Sequence, residues 1–266
     1  MRDKSQATVQ MSLIPYTQST RRRLIGVCGR YARTQGADEI FSSFDLASNE
    51  VDHSLPLNWN IAPTNEIYII RGEMALSTAS WGMIAPWSTD PTSARNSQSH
   101  AINARSESIH EKPTFRDAFR RTRCIIPVNG YYEWATALGQ YPPKQPFYMS
   151  PDPKIWDTAF SVAGIWSRWI SPTGQQIDSA SIITREAVGD LATIHSRMPV
   201  ILPRERWKNW LDHEQREPSF LQNLMNNDQP DHGVLIHPVS SRVNLVANNG
   251  ADLITPITLG EPTTLF

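Results

Sequence analysis

Residues 124–134 read Cys124-Ile125-Ile126-Pro127-Val128-Asn129-Gly130-Tyr131-Tyr132-Glu133-Trp134. Two short apolar segments, 124–127 and 131–134, flank Asn129-Gly130, and Asn-Gly is the strongest short-range hairpin signal. The stretch predicts an antiparallel pair, and the chain around it repeats the theme. Segments 57–63, 67–70, 146–149, 160–166, 179–184, 234–239 and 243–246 also read as extended, and 80–87 as a Trp-bounded strand or loop. Helical spacing is confined to three places. These are 114–122, with Phe115, Ala118 and Phe119; the set Ala187, Leu191 and Ile194 ahead of His195; and a helix opened by Pro203 with Trp207, Trp210 and Leu211 on one face. Residues 214–232 are polar and read as a loop. Many short strands with few helices predict an α+β fold that is β-rich, mostly antiparallel and barrel-like.

Composition narrows the function classes. Hydrophobic residues make up 39% of the 266, with nine tryptophans, enough for a sizeable core, so wholesale disorder is excluded. No run approaches the roughly 18 apolar residues of a membrane-spanning helix. Two cysteines, Cys28 and Cys124, make neither a disulfide framework nor a structural zinc site. The net charge of −1 argues against DNA binding by bulk positive charge. Lysine, however, accounts for only five of the 25 basic residues, and arginine's planar fork suits phosphate; a GC-rich genome produces the same skew. Residues 1–20 are polar, without periodicity, and lead into Arg21-Arg22-Arg23 before the short apolar stretch Leu24-Ile25-Gly26-Val27-Cys28. Arg30 and Arg33 interrupt that stretch too early for a secretory or twin-arginine signal, and Val27 is a poor neighbour for a lipoprotein cysteine.

Four segments are richer in reactive groups than a core requires: Cys28-Gly29-Arg30-Tyr31, Asn103-Ala104-Arg105-Ser106-Glu107, Gly130-Tyr131-Tyr132-Glu133-Trp134 and His195-Ser196-Arg197-Met198-Pro199. Each has an ordinary structural reading. A lone cysteine is commonly a small buried hydrophobe. Asn103 reads as the cap of a helix over 104–108, Glu133 as half of an ion pair, and His195 as a helix C-terminal residue favoured by the dipole.

Together, these segments resemble the signature of the SOS-response-associated peptidase (SRAP) family, the abasic-site processing proteins. The resemblance extends through Asn60-Ile61-Ala62-Pro63, the stretch from Trp81 to Trp87, Pro127 to Trp134 and Pro238 to Asn244. Seven motifs occur in order over about four-fifths of the chain. The resemblance implies a single SRAP domain over 28–258, preceded by a disordered extension or mis-assigned start (1–27) and followed by a tail (259–266). It implies a monomer that crosslinks covalently to abasic sites in single-stranded DNA, shielding them from strand cleavage, with Cys28, Asn103, Glu133 and His195 as the catalytic set. Arg30, Asn60, Pro63, Trp81, Arg105 and Thr184 would contact DNA: the arginines and Thr184 on phosphates, Asn60 and Pro63 shaping the groove, Trp81 or another aromatic stacking on a base. The basic run Arg116, Arg120, Arg121 and Arg123 is a second candidate DNA surface. No cofactor, metal or membrane is implied, and the setting would be cytoplasmic and nucleoid-associated, or nuclear in a eukaryote.

An abasic sugar opens to an aldehyde, which an unprotonated amine traps as an imine. An α-amine with pKa near 8 is roughly 10% neutral at pH 7, against about 0.04% for a lysine. If the same residue carries a thiol, sulfur closes a five-membered thiazolidine intramolecularly, and only an N-terminal cysteine offers both groups. Glu133 would shuttle protons, His195 would open the hemiacetal or bind the flanking phosphate, and Asn103 would bond the amine or a sugar hydroxyl. Here 27 residues precede Cys28, and an amide nitrogen cannot form an imine. The expected explanation is initiation at Val27; proteolytic removal, including self-cleavage, and a non-covalent homologue are alternatives. The rivals are a thiol peptidase, with Cys28 as nucleophile, His195 as base and Glu133 or Asn103 orienting it, and a damaged-DNA reader without chemistry.

Overall fold

The computed structural model describes residues 28–136 and 141–259. The expected extension over 1–27, and all but Leu259 of the expected tail, lie outside the described residues. In chain order the first half forms β1 (Tyr31–Arg33), α1 (Ala37–Ser43), β2 (Ser48–Asn49), β3 (Asn58–Ile61), β4 (Glu66–Arg71), β5 (Ala75–Trp81), α2 (Pro91–His100), β6 (Asn103–Arg105) and α3 (Arg116–Arg121). The second half adds β7 (Arg123–Val128), β8 (Gly130–Trp134), β9 (Pro146–Pro151), β10 (Phe160–Ile170), β11 (Gln176–Glu186) and α4 (Gly189–Ile194). It ends with β12 (Arg197–Pro199), α5 (Trp207–Leu211), α6 (Pro218–Met225) and β13 (Val234–Pro238).

The strands form two sheets. One is antiparallel, in the order β13-β9-β8-β1-β3. In the other, β11-β10-β7-β4-β5 run antiparallel, and a short parallel pairing of β11 with β5 closes them into a five-stranded barrel. The α+β, β-rich, barrel-like architecture read from the sequence is what forms. Barrel strands β4 and β7 hold near-continuous apolar runs because both faces are covered. Alternate residues serve two cores: Tyr68, Ile70 and Ile125 pack with α1, α3, α5 and α6, whereas Ile67, Ile69, Cys124 and Ile126 face the five-stranded sheet.

The stretch that promised a hairpin folds differently. Strands β7 and β8 form as expected but pair in different sheets: β7 with β10 and β4, β8 with β1 and β9. Neither Asn129 nor Gly130 takes the positive φ of a hairpin turn. Asn129 is instead a corner between sheets. Its N–H donates to Ala32 O at 3.1 Å, and its Oδ1 accepts from Thr34 N at 2.9 Å. Gly130 is glycine because of close approach: a Cβ there would lie 2.2 Å from the Tyr148 ring and 2.7 Å from Met149 O.

Three further expectations are corrected. Residues 103–105 are strand β6, parallel to β11, so Asn103 caps no helix. Part of 214–232 is helix α6, started by Glu217 and Pro218 and burying Leu221, Leu224 and Met225. The expected strand over 243–246 is largely a 3-10 turn, Ser241–Asn244, capped by the Ser240 side chain. The basic run also divides. Arg116, Arg120 and Arg121 are exposed, whereas Arg123 is buried and donates to Phe119 O, Arg120 O, Trp210 O and Asp212 O. It thereby neutralises the carbonyl ends of α3 and α5 together, and burial lowers its pKa to about 10.

Candidate active site

Pairing of β1 with β8 puts Tyr31 opposite Tyr131, and Tyr132 N donates to Arg30 O. That register brings Cys28, just ahead of β1, onto Glu133 of β8. The Cys28 backbone N–H donates to Glu133 Oε1 at 2.5 Å, across 105 residues of sequence. Both residues are buried, at 2% and 1% exposure. The other carboxyl oxygen, Oε2, has no hydrogen-bond partner among the described residues. Burial raises the Glu133 pKa from 4.5 to about 8, with the Cys28 and then the Trp134 backbone N–H pulling the other way. Near neutral pH this carboxyl is therefore close to its titration point, able both to give and to take a proton. Burial, and secondly the Glu133 charge, push the Cys28 thiol well above its ordinary range. Cys28 also sits at φ 47°, a backbone region that side-chain-bearing residues rarely adopt.

His195 arrives from the other direction. It ends α4, as its spacing from Leu191 suggested, but in extended conformation (φ −145°, ψ 149°). Thr136, three residues beyond Glu133, donates from its N–H to Ile194 O at 3.0 Å, which ties the end of β8 to the residue before His195. His195 Nδ1 accepts from Arg197 N at 3.1 Å; burial above all, and the Arg197 charge, lower its pKa against a backbone hydrogen bond at Arg197 that raises it. Asn103, half-buried, opens β6 opposite Ile182. Its neighbour Ile102 accepts at its carbonyl from Trp81 Nε1, and the Trp81 ring meets Tyr31 edge-on with centroids 5.3 Å apart. Of the four expected catalytic residues, Cys28 and Glu133 are in direct contact, whereas His195 and Asn103 are tied to that pair only through neighbours, Ile194 to Thr136 and Ile102 to Trp81.

The expected DNA contacts are placed less uniformly. Arg105 is exposed and Pro63 half-buried. Trp81 is completely buried, so the expected stacking on a base has no ring face to use. Arg30 and Asn60 are buried against one loop. Arg30 Nη1 donates to Asn60 Oδ1 at 2.7 Å and to Val243 O at 2.8 Å, while Asn60 Nδ2 donates to Val243 O, Leu245 O and Asn248 O. Both brace residues 243–248. Thr184 is 1% exposed, and its Oγ1 accepts from Arg197 Nη2, so it too faces protein. Sequence reasoning passed over the pair Glu107–Arg197, joined by two bonds of 2.6 and 2.9 Å. Both residues lie inside quoted motifs, but nothing in the chain couples positions 90 apart. Also passed over was Trp87, exposed at 59%, whose only signal was its place at the end of the Trp81 motif. Among the described residues, no group of three or more His, Cys, Asp or Glu side chains is arranged to hold a metal, and no helix is long and apolar enough to cross a membrane.

Comparison with known proteins adds identity to this geometry. Residues 27–246 match the family described as SOS response associated peptidase (SRAP). Abasic site processing protein YoqW of Bacillus subtilis is 32% identical over 231 residues, 86% of this chain and 99% of that protein. Abasic site processing protein HMCES of Mus musculus is 31% identical over 204 residues, 67% of this chain and 56% of its own length. A crystal structure of a protein from Bacteroides thetaiotaomicron superposes with a TM-score of 0.75, covering 87% of this chain and 100% of that one; at 23% identity this likeness speaks to fold alone.

Proposed function

The chain belongs to the SOS response associated peptidase (SRAP) family, and from that premise we propose that it processes abasic sites in DNA by covalent capture on Cys28. The observation that carries this reading is the 2.5 Å contact between Glu133 Oε1 and the Cys28 nitrogen. A buried carboxyl whose pKa burial has raised rests on the one atom that must become the nucleophile. Once the bond to Val27 is absent, whether through initiation there or through cleavage, that nitrogen is an α-amine. The strained φ of Cys28, which is defined by the Val27 carbonyl carbon, then disappears as well.

The unprotonated amine adds to C1′ of the open sugar, giving a carbinolamine. Protonated Glu133 delivers its proton to the departing hydroxyl; water leaves and an iminium forms. The Cys28 thiol then gives its proton to the Glu133 carboxylate as sulfur bonds to the iminium carbon. The products are a thiazolidine, one water and a restored Glu133 carboxylic acid. With the imine consumed, the electron sink that drives β-elimination is gone, and the strand is preserved. The buried position of Cys28 requires the sugar to leave any base stack, a deformation that costs least in single-stranded DNA. The raised thiol pKa speaks against a thiol peptidase acting on other proteins, which needs a depressed one.

The test uses the full chain, a form beginning at Cys28, and Cys28→Ala in that form, each mixed with single-stranded DNA carrying one abasic site and then denatured by heat. A surviving band is expected only from the form beginning at Cys28. No such band, with a retained shift in a native gel, would instead establish a non-covalent reader. N-terminal sequencing of the natively expressed protein should return Cys28 first.

A further inference from the structure

We propose that Glu107 and Arg197 form a clamp that holds His195 in its Nε2–H tautomer, so that the ring nitrogen left free by Arg197 N carries a proton, not a lone pair. The clamp deepens the reading above and rests on it only where a crosslinking rate is measured.

Its parts come from three segments. Arg197 Nη1 and Nη2 hold Glu107 Oε1 and Oε2 at 2.6 and 2.9 Å, a two-pronged pair that fixes the plane of the guanidinium. Nη2 also donates to Thr184 O at 2.7 Å and Thr184 Oγ1 at 3.3 Å, anchoring the same group on β11. The turn carrying Glu107 is fixed in turn: Ser106 N donates to Thr184 O, and Gln222 Nε2 donates to Ser106 O. The backbone beside His195 is held by Ala187 N donating to Ser196 O and by the register of Arg197 opposite Glu186.

All of this aims one atom. The Arg197 backbone N–H points at His195 Nδ1 at 3.1 Å. An amide N–H can only donate, so Nδ1 must keep its lone pair, and a neutral ring then carries its proton on Nε2. A thiol-peptidase base has the reverse arrangement, with Nδ1–H held by an orienting group and the Nε2 lone pair turned to the nucleophile. The arrangement here suits His195 to donate to the sugar ring oxygen during opening of the hemiacetal. Glu107 and Arg197 are positioning residues for that step.

The experiment is a long-range proton–nitrogen NMR correlation on the full chain above the His195 pKa, with the ring assigned by comparison with His195→Gln. The same spectrum is recorded for Glu107→Ala and Glu107→Gln. Glu107 is half outside the protein, at 52% side-chain exposure, and two variants guard against loss of folding in one. The expected wild-type pattern is Nε2–H; in the variants the Nδ1–H form should appear, and crosslinking by the forms beginning at Cys28 should slow about tenfold or more. A wild-type ring protonated on Nδ1 overturns the proposal. So does an unchanged tautomer in both variants, whatever the rate does. A tautomer shift in a protein whose wild type makes no crosslink would sustain the clamp and defeat the proposed function.

Discussion

Replacing Glu133 with glutamine probes the electrostatics on which the site depends. The carboxyl is buried, and its pKa rises from 4.5 to about 8. Each tenfold change in an acid constant corresponds to about 1.4 kcal/mol, so ionised Glu133 is disfavoured by roughly 5 kcal/mol in the folded protein relative to the unfolded chain. Below about pH 4.5 both states hold the proton and the effect vanishes. Between 4.5 and 8 the folded state keeps a proton that the unfolded chain has released, so stability falls as pH rises. Above 8 both are ionised and the full penalty remains. Glutamine has nearly the same shape and no charge, and whatever an amide costs at this position it costs at every pH. The difference between the two stability curves isolates the ionisation.

Urea unfolding of both proteins at pH 4.5, 6.5 and 8.5 makes the measurement. Wild type should lose several kcal/mol against Glu133→Gln across that range, a large fraction of the roughly 5–15 kcal/mol that holds a typical domain folded. In the form beginning at Cys28 an ammonium replaces the amide beside Oε1 and draws the carboxyl pKa back down, so the same comparison should give a shallower fall. Crosslinking by Glu133→Gln in that form should slow by about 10²-fold or more. Parallel stability curves for wild type and variant in the full chain would refute the reasoning, because Glu133 would then be an ordinary carboxylate at neutral pH and unable to donate.

Two other substitutions test the frame around the site. Gly130→Ala sets a methyl carbon 2.2 Å from the Tyr148 ring and 2.7 Å from Met149 O, and should lower stability by about 1–3 kcal/mol or more, read as a fall in Tm; an unchanged Tm would contradict the close approach of β8 and β9. Cys124→Ser places a hydroxyl at a completely buried position in β7 and should cost about 1–3 kcal/mol while leaving the crosslinking rate of the folded protein intact; loss of crosslinking with folding preserved would assign Cys124 a role in the chemistry.

The legible parts of the fold were those where local pattern and tertiary placement agree. Strands β4 and β7 hold the unbroken apolar runs 67–70 and 124–128 because two cores claim their alternate residues, and such runs are visible in one sequence. Helix α2 was illegible for the opposite reason. It buries only Ala94 and Gln98, so there is no apolar stripe to find, and its one signal is the start Asp90-Pro91, where Asp90 accepts from Thr92 N and Ser93 N. Helix α6 carried its stripe but was overlooked amid polar neighbours. At Asn129-Gly130 the residue types were right for a turn and the inference still failed. Glycine serves close packing as well as positive φ, and only the position of Tyr148 tells the two uses apart.

The same ambiguity governs the site, and burial resolves it. Motif reading placed Arg30, Asn60, Trp81 and Thr184 on DNA, because polar and aromatic residues outside an obvious core invite a ligand. In the fold these four are at most 7% exposed. Three of them hold backbone: Arg30 and Asn60 fix residues 243–248, and Trp81 fixes Ile102 next to Asn103. Thr184 receives the guanidinium that reaches Glu107. A motif therefore records groups that react and groups that hold them, without distinguishing the two. What singles out Glu133 is a buried carboxyl with no cation against it among the described residues, resting on a backbone nitrogen. Such a placement destabilises the fold at neutral pH, and the use proposed for it is proton transfer at that nitrogen. A mutation that stabilises the protein by removing this charge should therefore weaken the chemistry, whereas one that loosens the holders should lower stability and rate together.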